Sequence, residues 1–381
     1  MITIKNKQQC NGCHACASAC PKKCITMSAD KEGFLYPKVE RNACTNCGLC
    51  EKICPVLHKG NTEDRNEPIS YAAYNTDESI RLESSSGGLF TLFATTVLNR
   101  GGVVFGARFN ERFEVVHSYV ENVDELGKFR GSKYVQSIIG DSYKQAEMFL
   151  KQGRWVLFTG TPCQIGGLYA YLKKDYDTLL TQDIICHGVP SPLVWKKYLQ
   201  YHAQGRKISS ACCRDKRDGW STYRYTVVYD NGEEYSELSA NDMMSHMFLR
   251  NLCLRPSCYD CAFKIKKRQS DFTLADYWGI NEEHPELNDN KGINLLLLHT
   301  PKANRFFEEI QSFLVYQQTD TDKAISHNPS AIDSSPLPQN RASFMRDARR
   351  MNLGKLHAKY CEQRPNILGY LVAIKHKLFG K

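Results

Sequence analysis

The stretch RWVLFTGTPCQIGGLYAYLKKDYDTLLTQDIICHGVP, residues 154–190, reads as strand, helix, strand. Arg154–Gly160 is a buried strand, Gln164–Lys174 a helix and Thr178–Ile185 a second strand. A helical crossover between strands this close in sequence makes them parallel, and parallel sheets gather ligands beyond the carboxyl ends of their strands. Those ends carry thiols: Cys163 in Thr159-Gly160-Thr161-Pro162-Cys163-Gln164, and Cys186 in Asp183-Ile184-Ile185-Cys186-His187-Gly188. Both therefore stand at one edge of the sheet, beside Gly and Pro residues that hold tight turns.

Farther along, Cys258 and Cys261 form a C-x2-C pair. Two strand-end thiols and one such pair supply four ligands, enough for a cubane iron–sulfur cluster or a zinc site. The plainer alternative is that Cys163 and Cys186 are small buried hydrophobes. Cys253 is a substitute for one of the four. Cys212 and Cys213 are adjacent, so strand alternation points them to opposite faces, and they are left out. His187 is read as a hydrogen-bonded structural residue, with donation to a cofactor as the alternative.

The densest thiols lie at the start of the chain. Cys10, Cys13, Cys16 and Cys20 precede Pro21, and Cys44, Cys47, Cys50 and Cys54 precede Pro55. Each run is C-x2-C-x2-C-x3-C-P, the bacterial ferredoxin spacing, in which the fourth Cys of one run ligates the other cluster. The expected ligand sets are Cys10, Cys13, Cys16 and Cys54 for one [4Fe-4S] cluster, and Cys44, Cys47, Cys50 and Cys20 for the second. Zinc modules use two C-x2-C pairs and a longer spacer. Two complete four-Cys runs argue instead for electron transfer.

Of the 17 cysteines, eight belong to these runs. MITIKNKQQC lacks an apolar segment before a cleavage site, and no run of about 18 apolar residues follows. The expectation is a cytoplasmic chain with neither signal peptide nor spanning helix, since thiolate clusters suit a reducing compartment. The net charge of +9 is unevenly placed: from Ile332 to Lys381, ten Lys and Arg face only Asp333, Asp347 and Glu362. The body is near neutral, which argues against nucleic-acid binding.

The expected fold class is α+β to α/β, a small two-cluster ferredoxin-like module followed by a larger mixed α/β domain. Residues 1–58 form the module, 59–70 a polar linker, 71–155 and 156–325 the two parts of the larger domain, and 326–381 a Pro-containing linker with a basic tail. Leu89–Asn99 reads as a helix, Val103–Phe109 and Tyr134–Ile139 as strands, and Tyr223–Tyr229 with Glu233–Leu238 as a β-hairpin. In the tail, Ile367, Leu368, Leu371, Ile374 and Leu378 fall at helical spacing beside Lys375, Lys377 and Lys381. One reading is docking to an anionic membrane surface or an acidic carrier; the other is a helix packed on its own domain.

Two segments suit phosphate. Ser84-Ser85-Ser86-Gly87-Gly88 precedes a helix, where bare N–H groups and the helix dipole favour an anion, although a Ser N-cap explains the serines equally well. Arg130-Gly131-Ser132-Lys133-Tyr134 offers a second set of donors. Together they suggest the pyrophosphate of a dinucleotide such as FAD, which accepts one or two electrons where clusters pass single ones.

The ordered set SSSGGLF, RGSKYVQS, FTGTPCQIGGL, DIICHGVPSPLVW, RPSCYDCAF and LADYWG resembles the coenzyme F420 hydrogenase/dehydrogenase beta-subunit family across about residues 70–320. Ala275 stands where relatives often have Gly. The resemblance implies an FAD-containing iron–sulfur subunit, with Ser86, Gly87, Gly88, Gly131, Ser132, Lys133 and Tyr134 lining the flavin. It also implies Cys163, Cys186, Cys258 and Cys261 as ligands of a third [4Fe-4S] cluster. The expected function is an iron–sulfur flavoprotein oxidoreductase acting on a small molecule or coenzyme, fed by ferredoxin, flavodoxin or another redox partner, as an oligomer or one component of a complex. The alternative is a non-catalytic electron-transfer component of a larger oxidoreductase.

Overall fold

The computed structural model describes residues 1–60, 62–63 and 65–362. In the N-terminal module, strands β1 (Ile25–Ala29) and β2 (Leu35–Val39) pair antiparallel, Ile25 opposite Val39. The cysteine runs flank this ribbon and share one backbone shape. Gly12 and Asn46, then His14 and Gly48, occupy equivalent places in the two runs, and all four are left-handed, with φ of 68, 53, 65 and 72°. Such turns curl the chain so that successive thiols face one centre. Ile2, Cys24 and Ile25 form the small apolar core, packed against Ile4, Val39 and five of the run cysteines.

The larger domain is built on one mixed sheet. Its strands are β3 (Ile69–Asn75), β4 (Val103–Phe109), β5 (Val115–Val120), β6 (Val156–Thr159), β7 (Leu179–Ile184), β11 (Phe272–Asp276), β12 (Asn294–Leu298) and β13 (Leu314–Thr319). Their order is β13-β3-β12-β11-β7-β6-β4-β5. The centre, β4-β6-β7-β11, is parallel, and the flanking pairs are antiparallel. The crossover read from residues 154–190 is present: Val156 lies opposite Leu179, and the Pro162–Leu172 helix joins the two strands. The sheet is covered on both faces, so its central strands are nearly continuous apolar runs. Helices Leu89–Asn99 and Pro301–Ile310 cover one face, and Ser142–Lys151 and Pro162–Leu172 the other. Thr161 and Gln164 close a capping box that starts the crossover helix directly at Pro162.

A second core lies beside the sheet. Strands β8 (Ile208–Asp215), β9 (Arg224–Tyr229) and β10 (Glu234–Leu238) form an antiparallel sheet packed on helices Pro192–Ala203 and Met243–Leu249. Residues Arg341–Ala348 and Leu353–Tyr360, placed by sequence in the basic tail, are two more helices of this core. Phe344, Leu353 and Leu356 are buried against it, because their apolar stripe has a partner here that composition did not reveal. The tail reading at residues 366–381 lies outside the described residues. Tyr134–Ile139 is also corrected: it makes one isolated bridge, Val116 to Ile138, and otherwise runs as a loop. Its polar groups are drawn elsewhere, Gln136 to Asn11 and Arg255, Ser137 to Gln164. Among the described residues no helix is long and apolar enough to cross a membrane.

Candidate functional site

Cys20, Cys44, Cys47 and Cys50 line one small cavity in the module, together with Met1, Lys22 and Cys24. Its thiols are the outermost, and Cys47 is exposed. The Ile2 N–H points at Cys50 Sγ from 3.3 Å, a donor that favours a thiolate. Cys24, missed in the sequence, lies 3.4 Å from Cys20. Its hydrogen bond to Cys20 pushes the Cys24 thiol up to about 11.

The other set faces inward. Burial pushes Cys16 up to about 12, and the neighbouring charges of Cys10, Cys54 and Cys50 add to it. Cys54 and Cys50 of the second run thus both stand near Cys16 of the first. Burial raises Cys13 well above the usual thiol range, with Cys16, Cys10 and Cys163 contributing. Cys163 belongs to the larger domain, so inner module thiols and body thiols feel one another. Gly167, one turn past Cys163, permits this approach: a Cβ there would meet Cys13 Cβ at 2.9 Å.

Cys163, Cys186, Cys258 and Cys261 line a single cavity of the body. Burial pushes Cys163, Cys186 and Cys258 each to about 12. Three cations, Arg255, Lys264 and Arg268, share its wall. Lys264 Nζ donates to the Cys186 carbonyl and to Ser330 O at 2.6 Å, while Arg268 meets Asp183 at 3.3 Å. A thiolate-ligated cluster is anionic, and such a ring of cations would offset the cost of placing one out of water. Among the described residues no three His, Cys, Asp or Glu converge tightly enough for a single ion. Cys253 lies buried in the second core, away from this cavity.

Arg255 joins module to body. It is 0% exposed. Its Nε donates to Cys10 O at 2.8 Å, its Nη2 to Leu35 O at 2.9 Å and its Nη1 to Gln136 Oε1 at 2.7 Å. A second clamp is the bidentate pair of Arg341 with Glu32, at 3.0 and 2.6 Å. Both tie the β1–β2 ribbon to distant parts of the chain.

A cavity of about 580 Å³ opens at the carboxyl ends of β6 and β7. That size suits a cofactor or a small ligand. The two phosphate-suited segments meet there, Ser132 Oγ donating to Ser85 Oγ at 3.0 Å. Ser86, Gly88, Gly131, Ser132, Lys133 and Tyr134 line it; Gly87 does not. A Cβ on Gly87 would lie 2.7 Å from Ala73 O, so its part is close packing on the sheet. The helix Leu89–Asn99 has Gly88 at its N-cap, with φ 84° and no side-chain cap of its own, and the Leu89 N–H donates to Asn294 Oδ1 at 3.4 Å. Lys133 is committed locally: its Nζ donates to the carbonyls of Phe129, Arg130 and Gly131, and burial lowers it to about 8.

Several wall residues were not legible in advance. Arg214 pairs with Asp276 at 3.1 Å and lies 4.4 Å above the Tyr223 ring. His117 donates through Nε2 to Thr159 O at 3.0 Å and is held neutral by burial, lowered to about 4. Arg214 Nη2, Arg130 Nε, His117 Nδ1 and Gln182 Oε1 are buried without partners in the protein. All four residues line this cavity, so it presents donors and acceptors that a polar ligand would satisfy. The Asp276 signal was present in LADYWG; Arg214 and His117 sit on strands whose position only folding decides. His187 bonds Asn251 at 2.5 Å and Ser330 at 3.4 Å, in line with the structural reading.

Cys186, His187, Gly188 and Val189 belong to the walls of both cavities. A thiol-lined chamber and a cofactor-sized cleft thus share one backbone segment. Residues 153–323 match the family model for the C terminus of the coenzyme F420 hydrogenase/dehydrogenase beta subunit, and residues 9–57 match the 4Fe-4S dicluster domain. Residues 153–323 thus carry the C-terminal domain of this beta-subunit family, and residues 9–57 a dicluster ferredoxin domain.

The chain is similar to the coenzyme F420-dependent sulfite reductase of Methanocaldococcus jannaschii, 29% identical over 50% of this chain and 29% of that protein. It is also similar to one subunit of the F(420)H(2) dehydrogenase of Methanosarcina mazei, 26% identical over 41% of this chain and 46% of the relative. The chain thus spans less than half the length of either relative. A chain of the F420-reducing [NiFe] hydrogenase complex from Methanosarcina barkeri aligns over 74% of this chain and 92% of its own length, with TM-score 0.48 and 15% identity.

Proposed function

We propose that this protein is an iron–sulfur flavoprotein oxidoreductase that passes electrons between its ferredoxin-type module and an FAD site acting on a small molecule or redox carrier. The observation that carries the reading is the segment Cys186–Val189, which walls both the four-thiol cavity and the large cleft. On the other side of the four-thiol cavity, Cys163 acts on Cys13 of the module. Thiols therefore stand at successive points from the exposed Cys47 to Cys186 on the wall of the cleft.

In this reading Cys10, Cys13, Cys16 and Cys54 hold one cluster, Cys44, Cys47, Cys50 and Cys20 the second, and Cys163, Cys186, Cys258 and Cys261 the third. The first turn of the Leu89–Asn99 helix, with Ser85, Ser132 and Arg130, would hold the pyrophosphate of FAD. Arg214 supplies a further donor, while His117 Nδ1 and Gln182 Oε1 supply acceptors. Bound there, a flavin supplies the exchange between single electrons and two-electron chemistry. His117 stays neutral at physiological pH, so it accepts a hydrogen bond and adds no charge. The similarity to F420-dependent proteins makes coenzyme F420 one candidate substrate.

Anaerobic iron, sulfide and flavin analysis of one preparation tests the reading. About twelve iron atoms and one flavin per chain are expected. About eight iron atoms with no flavin absorbance would reduce the chain to an electron-transfer component. Arg214→Gln should weaken FAD binding by about ten-fold or more, measured by flavin fluorescence, because a charge-assisted donor is lost.

A further inference from the structure

We infer that the face around Cys47 is the docking surface for an acidic one-electron carrier protein, gripped by Lys22, Lys23, Arg41 and Lys52. The inference rests on the reading of the N-terminal runs as cluster sites. Of all run thiols only Cys47 is exposed, so a partner at this face approaches nearest to the outer set. The four cations stand around that set. Lys22 lines its cavity; the Lys23 N–H bonds Cys20 O at 3.0 Å. The turn Arg41–Ala43 ends on Cys44, and the Lys52 N–H bonds Gly48 O at 3.2 Å.

The charge balance of the module makes this face cationic. Residues 1–58 hold eight Lys and Arg against Asp30, Glu32, Glu40 and Glu51. Three of these acids are already engaged: Asp30 with Lys7, Glu32 with Arg341, and Glu51 with the N-terminal amine. Lys22, Lys23, Arg41 and Lys52 are exposed and have no ion-pair partner among the described residues. Two carboxylates temper the patch. Glu40 is exposed beside Arg41, and Asp141 feels Lys23 but is paired with Lys144 at 2.8 Å. Unpaired exposed cations around a redox centre draw a partner of opposite charge and raise its encounter rate, an effect that salt screens. In the transfer one electron leaves the reduced carrier and one enters the outer site, or the reverse; no bond forms or breaks.

The test uses the full chain, anaerobically reconstituted, with a strongly acidic two-iron ferredoxin as probe. Its rate of electron exchange is followed by stopped flow at rising ionic strength. For wild type the rate should fall with salt. For Lys22→Glu/Lys23→Glu it should be about ten-fold lower at low salt and nearly salt-independent. Lys196→Glu/Lys207→Glu, an equal charge change on the larger domain, should keep the wild-type rate. Should the first pair lose iron, Arg41→Glu/Lys52→Glu is read in the same way. Equal slowing by the control pair, or no slowing by either module pair, would overturn the docking surface. Failure of excess dithionite to bleach the wild-type protein would instead overturn the cluster reading on which the surface rests.

Discussion

The two groups of thiols in this molecule are built in opposite ways. Those of the module come from two short runs, each curled by its own left-handed residues, and the outermost is open to solvent. Those of the body come from a strand–helix turn, a second strand end and a 3-10 turn near residue 258, and they are enclosed by Arg255, Lys264 and Arg268. A local run needs only its own turns. A scattered set needs the sheet to bring its members together, and cations to make their burial tolerable. In the proposed scheme the same difference separates roles: the exposed set would meet a partner, and the enclosed set would relay to what adjoins it.

The sharpest way to break this comparison is to remove the scattered set alone. Cys258→Ala/Cys261→Ala should lower iron by about four atoms per chain and leave the module's near-ultraviolet and EPR features intact. Unchanged iron would take the body thiols out of the scheme. Next is the joint between the two groups. Arg255→Ala strips the donor from Cys10 O, Leu35 O and Gln136, and should cost on the order of 3 kcal/mol in urea unfolding, with faster amide exchange in residues 10–35. A smaller loss would mean that the module holds its place without the buried guanidinium.

Arg341→Lys keeps the charge but cannot make the paired bonds to Glu32. About 1–2 kcal/mol should disappear from the same unfolding curve. The smallest effect tests the local turns. At Gly48 a Cβ would meet nothing within 4 Å, so Gly48→Ala should cost about 1 kcal/mol through its left-handed backbone alone. Asn46→Gly, at an exposed left-handed residue of the same run, should be slightly stabilising. Opposite signs in thermal melts of the two variants would confirm that left-handed backbone shapes these turns.

Much of the fold was legible. The parallel pair around Cys163, the helix Leu89–Asn99 and strand Val103–Phe109 at their observed bounds, and the hairpin after Trp220 all follow from period and turn residues. Two readings failed for tertiary reasons. Tyr134–Ile139 has strand composition, yet only Ile138 pairs with a strand, through Val115 and His117, while the Gln136 N–H turns to Pro190 O, so the rest runs as a loop. Residues 341–360 read as a charged tail because the apolar face of each helix is narrow, and its partners on Pro192–Ala203 and β9 lie more than 100 residues away.

The candidate site divides in the same way. Sequence alone determined the thiol runs, because thiolate spacing within a few residues is set by local backbone geometry. It also determined that Cys163 and Cys186 share a sheet edge, because a βαβ unit leaves no other choice. Only the tertiary structure decided that Cys258 and Cys261 close the same cavity, that Gly87 packs rather than lines, and that Arg214, Asp276 and His117 face the cleft. Those placements depend on strand order and on buried charges finding partners, which arise from contacts far apart in the chain and leave no period to read.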